Sequence, residues 1–309
     1  MKRLITLATG CLFFALHAEV AVAQQTRIEA ISIPNTGSPQ RIWINEVTNS
    51  NIRHYQNPTT AALSDLSRSS LQAVFFPEPP ALSTAIQQFR GREYRAAKDG
   101  FARVASEFRA VRPLENNPAT RAAFFEIECL RLLGEYEEMS EKLGAINKGG
   151  LTRENELRQL ELNLMWEAVG RQVWDRVEIL AREFAGTRMP ANQRAQVAYC
   201  LGLVLEQKGE ANAAIQAFNE AMIIDAAASE VESRLAALAI LRIYDADPDV
   251  QSAREAWGTE HARPNSKGHA RLIEAGAVAR IYEDFIGAGV PLPAAFKPYL
   301  EYQAPETES

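Results

Sequence analysis

Residues 195–221, AQVAYCLGLVLEQKGEANAAIQAFNEA, decide the fold class. Leu201 and Leu205 stand one helical turn apart, followed by Gly209 and then by Ala214, Phe218 and Ala221 at intervals of four and three. That spacing puts the last three on one face of a helix. The stretch predicts two helices broken at Gly209. Ala214 and Ala221 let the pair approach closely, and Phe218 fills the space between them. Such a hairpin cannot bury its apolar face alone, so neighbouring hairpins are expected.

Outward from this stretch the helical period holds from Ala81 to about Ile286. Turn signals precede small or apolar anchors at Ala97, Met139, Val177, Ala214 and Ala253, spaced 42, 38, 37 and 39 residues apart. This rhythm reads as about five hairpins in residues 81–286, with extra length in loops such as 112–118 and 147–150. A helix over Ala270–Phe285 reads as a cap whose polar side carries Arg271, Glu274, Arg280, Glu283 and Asp284. Residues 287–309 hold four prolines and several acidic groups and read as a flexible tail.

The N-terminal side is different. Residues 24–76 alternate β-favouring runs with Asn, Gly and Pro turns, which predicts a small meander or barrel-like unit of four or five strands. Expected strands are 27–33, 40–47, 52–56, 59–63 and 71–76. Pro77-Glu78-Pro79-Pro80 then reads as a stiff hinge at 77–80. Residues 1–23 have the parts of a secretory signal: Lys2 and Arg3, the apolar run Leu4–Leu16, and Ala21-Val22-Ala23 before Gln24. The run is shorter than the roughly 20 residues of a membrane-spanning helix. Cleavage after Ala23 would leave an exported chain, periplasmic or extracellular, with a formal charge of −7 and no membrane insertion.

The 195–221 segment resembles the tetratricopeptide repeat, and residues 92–104 and 122–139 share the resemblance. The resemblance covers about 80–285 and implies a mainly α, helical-hairpin solenoid. Met139 and Val177 depart from it, standing where the family favours Ala, so those hairpins should be looser. Members of this family present a groove of first helices to a protein or peptide partner. Matching groove positions are Arg121, Phe124, Glu128 and Arg131, then Leu162, Asn163 and Trp166, then Gln196, Tyr199, Leu203 and Glu206. The Lys/Asn clamp that some members use for peptide carboxyl ends is not present at these positions. Phe124 and Trp166 could equally pack between repeats.

Chemistry is hard to place elsewhere. The acidic balance lacks a basic cluster and disfavours nucleic acid. No Gly-x-Ser-x-Gly elbow, phosphate-binding loop or His-Glu-x-x-His occurs, so no cofactor or metal is expected. Asp245–Asp249 imitates the start of a calcium loop, but Val250 and Ala256 stand where Gly and Glu belong. An N-cap at Asp247 or Asp249 accounts for it better. Glu126/Glu128, Glu135/Glu137/Glu138 and Glu154/Glu156/Glu161 read as solvated helix faces, with pairs such as Glu154–Arg158. Cys129 and Cys200 read as separate buried thiols. The leading expectation is a non-catalytic adaptor. The alternatives are a self-assembling envelope component and a cell-wall glycan-processing enzyme on a helical scaffold.

Overall fold

The computed structural model describes residues 27–304 except Asp225, Ala228 and Ala288. The expected signal peptide lies outside the described residues. The protein is mainly helical, with a small antiparallel sheet before the helices.

Strands β1 (Ile28–Pro34), β2 (Gln40–Val47), β3 (Asn51–Tyr55), β4 (Ser64–Ser67) and β5 (Leu71–Phe75) form one sheet in the order β4-β3-β2-β1-β5. The period of two buries Ile28 and Ala30 of β1, Ile42 and Ile44 of β2, and Ile52 of β3 on one face. The first four strands form a meander, and β5 returns antiparallel to β1. The sheet has two edges and does not close, which corrects the barrel-like expectation. The run 59–63 is not a strand either. Asn57 Oδ1 accepts from the Thr59 and Thr60 backbone N–H groups at 3.0 and 2.8 Å, holding the chain in a turn, and β4 starts at Ser64. Val111 and Leu114 cover the sheet's apolar face, and Arg68 donates to the Pro113 carbonyl at 3.2 Å. The added length between the second and third helices therefore has a packing role: it plugs the sheet.

Eleven α-helices follow among the described residues: α1 (Pro80–Arg90), α2 (Tyr94–Glu107), α3 (Pro118–Leu133), α4 (Tyr136–Ala145), α5 (Glu154–Gly170), α6 (Trp174–Ala185), α7 (Ala191–Gln207), α8 (Ala211–Ile223), α9 (Glu230–Asp245), α10 (Pro248–Ala256) and α11 (Lys267–Ile281). Pro80 opens α1, where a missing N–H costs nothing. Asn117 caps α3 by accepting from Thr120 N–H at 2.7 Å. Asp247 caps α10 by accepting from Asp249 N–H at 2.9 Å and also pairs with Arg271. The would-be calcium loop is thus a helix start.

Four turns, α1–α2, α3–α4, α5–α6 and α7–α8, share one geometry. Arg92, Gly134, Gln172 and Gly209 all take a left-handed conformation, and each stands five residues before Ala97, Met139, Val177 and Ala214. In each turn the next N–H reaches back five residues: Glu93 to Gln88, Glu135 to Leu130, Val173 to Ala168, Glu210 to Leu205. This closes the helix end in a Schellman-type pattern. Two of the four turns use a residue with a Cβ, which disfavours that conformation. Gln172→Gly is expected to raise the unfolding free energy by about 0.5–1 kcal/mol, measured by urea denaturation. No gain would mean the turn is not held left-handed in solution.

Within the deciding segment, Ala214, Phe218 and Ala221 are buried, as their spacing predicts. On the facing helix Ala195, Cys200, Gly202 and Val204 are buried, while Leu201 and Leu205 are half-buried. A Cβ on Gly202 would lie 2.5 Å from Phe218 Cε1, so the ring rests on a position that only hydrogen can occupy. Helices α3 with α4 and α5 with α6 pack less closely than α1 with α2 and α7 with α8. Met139 and Val177, fully buried, stand between the two looser pairs.

The C-terminal reading needs correction. The capping helix begins at Lys267, ends in a π-turn over Tyr282–Ile286, and holds His269, which stacks on Trp257 at 4.9 Å. Residues 287–304 are no loose tail where described. Leu292 and Tyr299 are buried, and Tyr299 donates to Asp245 Oδ1 at 2.7 Å. Arg280 donates to the Tyr302 carbonyl at 2.9 Å. Three apolar anchors outweigh the disorder signal of prolines and acids.

Candidate functional site

Polar side chains are costly to bury unless they are paired, so a buried polar cluster marks a place with a role. One such cluster joins α3, α5, α7 and α9. The Arg131 guanidinium donates to Glu128 Oε2 at 3.2 Å and to Glu232 Oε1 at 2.5 Å, and all three residues are buried. Burial opposes the charge on Arg131, but Glu128 and Glu232 outweigh it and hold its pKa above the ordinary arginine value. Asn163 donates to Glu128 Oε1 at 2.6 Å and accepts from Gln159 at 3.1 Å. Gln159 and the Trp166 indole N–H both donate to Gln196 Oε1 at 2.9 Å.

The network borders a half-open cavity of about 480 Å³. Phe89 and Arg90 of α1, Phe124 and Glu128 of α3, Glu156 and Gln159 of α5, Gln193 and Gln196 of α7, and Glu230 and Glu232 of α9 all contribute to its wall. The ends of this helical run meet across it. Arg131 and Glu232 are 101 residues apart in sequence, and Arg92 pairs with Glu230 at 2.7 Å.

The expected groove residues separate into layers. Phe124, Glu128, Arg131 and Gln196 line the cavity. Asn163 and Trp166 lie behind them, fully or almost fully buried, and Leu162 is likewise buried. Trp166 stacks between Tyr136, at 6.1 Å, and Tyr199, at 5.6 Å, and Tyr199 continues to Phe218. This ring ladder packs helices against one another. Arg121 lies at a neighbouring cavity of about 300 Å³ with Glu78, which accepts from it at 2.9 Å. Glu206 is held by Arg242 at 2.7 Å outside the cavity wall, and Leu203 packs half-buried on the core.

Sequence reading missed Gln159, Gln193 and Glu232, and it placed Glu126, Glu128 and Glu156 on solvated faces. All three of those carboxylates are buried: Glu126 pairs with Lys142 at 2.6 Å, Glu128 with Arg131, and Glu156 lines the cavity. Glu154 stays exposed and pairs with Arg158 as its spacing predicts. A usable signal was the pair of polar residues about one turn apart on each of two helices, Gln159 with Asn163 and Gln193 with Gln196.

No family model matches the chain, and no match is found among curated proteins or solved structures. The site therefore stands on its own geometry. Among the described residues no group of three or more His, Cys, Asp or Glu side chains is placed to hold a metal ion. No described helix is long and apolar enough to cross a membrane. Cys129 and Cys200 are buried free thiols in different helices, and burial pushes the Cys129 pKa up to about 12. A thiol so shifted is a poor nucleophile.

Proposed function

We propose that this chain is an exported, non-catalytic interaction protein of tetratricopeptide type, which receives a segment of a partner protein in the central cavity. One observation carries the reading: side chains of α1, α3, α5, α7 and α9, every second helix, converge on a single half-open space. The helix-rich fold and the fourfold recurrence of one turn support the repeat assignment. The motif in residues 1–23 supports export. In this reading Phe124, Glu128, Arg131 and Gln196 touch the partner, and Asn163, Trp166 and Tyr199 hold them in place. Fixed side chains on helices suit recognition because little ordering is lost on binding.

Residues 24–309 would be used to capture partners from an envelope extract beside an Arg153→Glu/Asn192→Trp variant matched in melting temperature. Both positions border the cavity away from its packed floor. A partner held by the parent and lost by the variant is the expected result. Partners held equally by both would place recognition elsewhere and sink the proposal.

A further inference from the structure

The buried floor of the cavity carries more acid than base. Glu128, Glu156 and Glu232 are all buried in it, against one buried cation, Arg131. Arg131 already serves Glu128 and Glu232, and Asn163 takes the other oxygen of Glu128. Glu156 has the exposed Arg153 side chain 3.6 Å away, beyond hydrogen-bond range, and the positive charge of Arg121 also acts on it. Burial raises the Glu156 pKa above the ordinary carboxylate value, outweighing the opposing charges of Arg153 and Arg121.

A second observation is independent of the carboxylates. Gln193 is 3% exposed and lines the same cavity. Its Nε2 donates to the Asn155 carbonyl at 3.1 Å and faces Gln159 Oε1 at 3.4 Å, which fixes the amide's orientation. Its Oε1 is buried and, among the described residues, accepts from nothing. A buried acceptor left unmade costs free energy that a ligand with an N–H group recovers. Outside this floor the wall carries Arg90, Arg92 and Arg153, all exposed, of which Arg92 pairs with Glu230. Water and salt screen them, whereas the buried carboxylates are screened far less.

We infer that the cavity binds a primary ammonium or guanidinium group, donated to Glu156, Glu232 and Gln193 Oε1, with anionic groups flanking it at the arginine rim. If the cavity receives a protein partner as proposed above, that group is a lysine or arginine side chain with acidic neighbours. A free diamine offers the same cation without the flanks. The charge sorting gives specificity by opposing any ligand of the reverse pattern.

The test is calorimetric titration of the folded protein with three probes: the peptide N-acetyl-Glu-Lys-Glu-amide, the same peptide with the lysine Nε-acetylated, and 1,5-diaminopentane. The Trp166 indole resonance serves as a second readout, since its N–H bonds to cavity-lining Gln196. The lysine peptide should bind saturably and weaken about tenfold or more on acetylation. Glu156→Gln should cause a comparable loss, and it leaves the Arg131 pairs intact. Binding of the diamine but not the peptide would keep the ammonium site and remove the protein partner as its source. No binding of any probe up to about 10 mM, or binding indifferent to acetylation and to Glu156→Gln, would overturn the inference.

Discussion

Phe218→Ala lowers the unfolding free energy by about 3–5 kcal/mol, without changing the denaturant dependence beyond error. The ring is fully buried between α7 and α8, beside the aromatic ladder that passes through Tyr199 at 5.6 Å. Its neighbours Ala214, Ala221 and Gly202 are the smallest side chains available, so little can move in to fill the space left behind. The surroundings cannot collapse, which puts the expected loss in the upper part of the large-to-small range. The same fit is sensitive from the other side. Gly202→Ala drives a methyl group to 2.5 Å from the ring and should cost about 1–3 kcal/mol. In Phe218→Ala the same glycine change should cost much less, because the atom it strikes is gone. A Phe218→Ala protein within about 1 kcal/mol of the parent would show that the hairpin packs otherwise.

Arg131→Met should cost a similar amount, about 3–5 kcal/mol at neutral pH. The reason differs. Methionine fills much of the volume, but Glu128 and Glu232 remain buried with their counter-charge removed. Arginine's stacking over Trp166, 5.6 Å from guanidinium carbon to ring centre, is lost as well. Adding Glu232→Gln and Glu128→Gln should recover part of the cost at neutral pH by removing the stranded charges. An Arg131→Met variant within about 1 kcal/mol of the parent would mean the two carboxylates are solvated.

The helical half of the fold was legible in local pattern. Ala214, Phe218 and Ala221 announce their buried face by spacing, and Gly134 and Gly209 announce two of the turns. Arg92 and Gln172 do not, because neither residue type signals a left-handed turn; only the recurring interval points to them. Four of the five strands were legible but β4 and the closure were not, since pairing of β5 with β1 depends on contacts 37 to 44 residues distant in sequence. Chain-end composition misled: prolines and acids around Leu292, Tyr299 and Tyr302 masked three anchors that the core holds.

The site was harder to read for a related reason. Family-type groove positions assume an open array, whereas the run of helices here curves until α9 meets α3. That curvature turns Asn163 and Trp166 inward and brings Glu232 into the cavity wall. Charge pairs at i,i+3 or i,i+4 are visible in sequence, as with Glu154 and Arg158. A partner 101 residues away is not, so nothing local to Glu128 and Arg131, read as groove positions, shows that α9 closes on them.

A double-mutant cycle on Arg131 and Glu232 tests the closure of the helices around the cavity most directly. Unfolding free energies of Arg131→Met, Glu232→Gln and the double variant, measured in urea at pH 7, give the coupling between two residues that meet only if the run curves shut. The structure predicts a coupling of about 1–3 kcal/mol. Additivity within about 0.5 kcal/mol would contradict it, and would mean that α3 and α9 stand apart in solution.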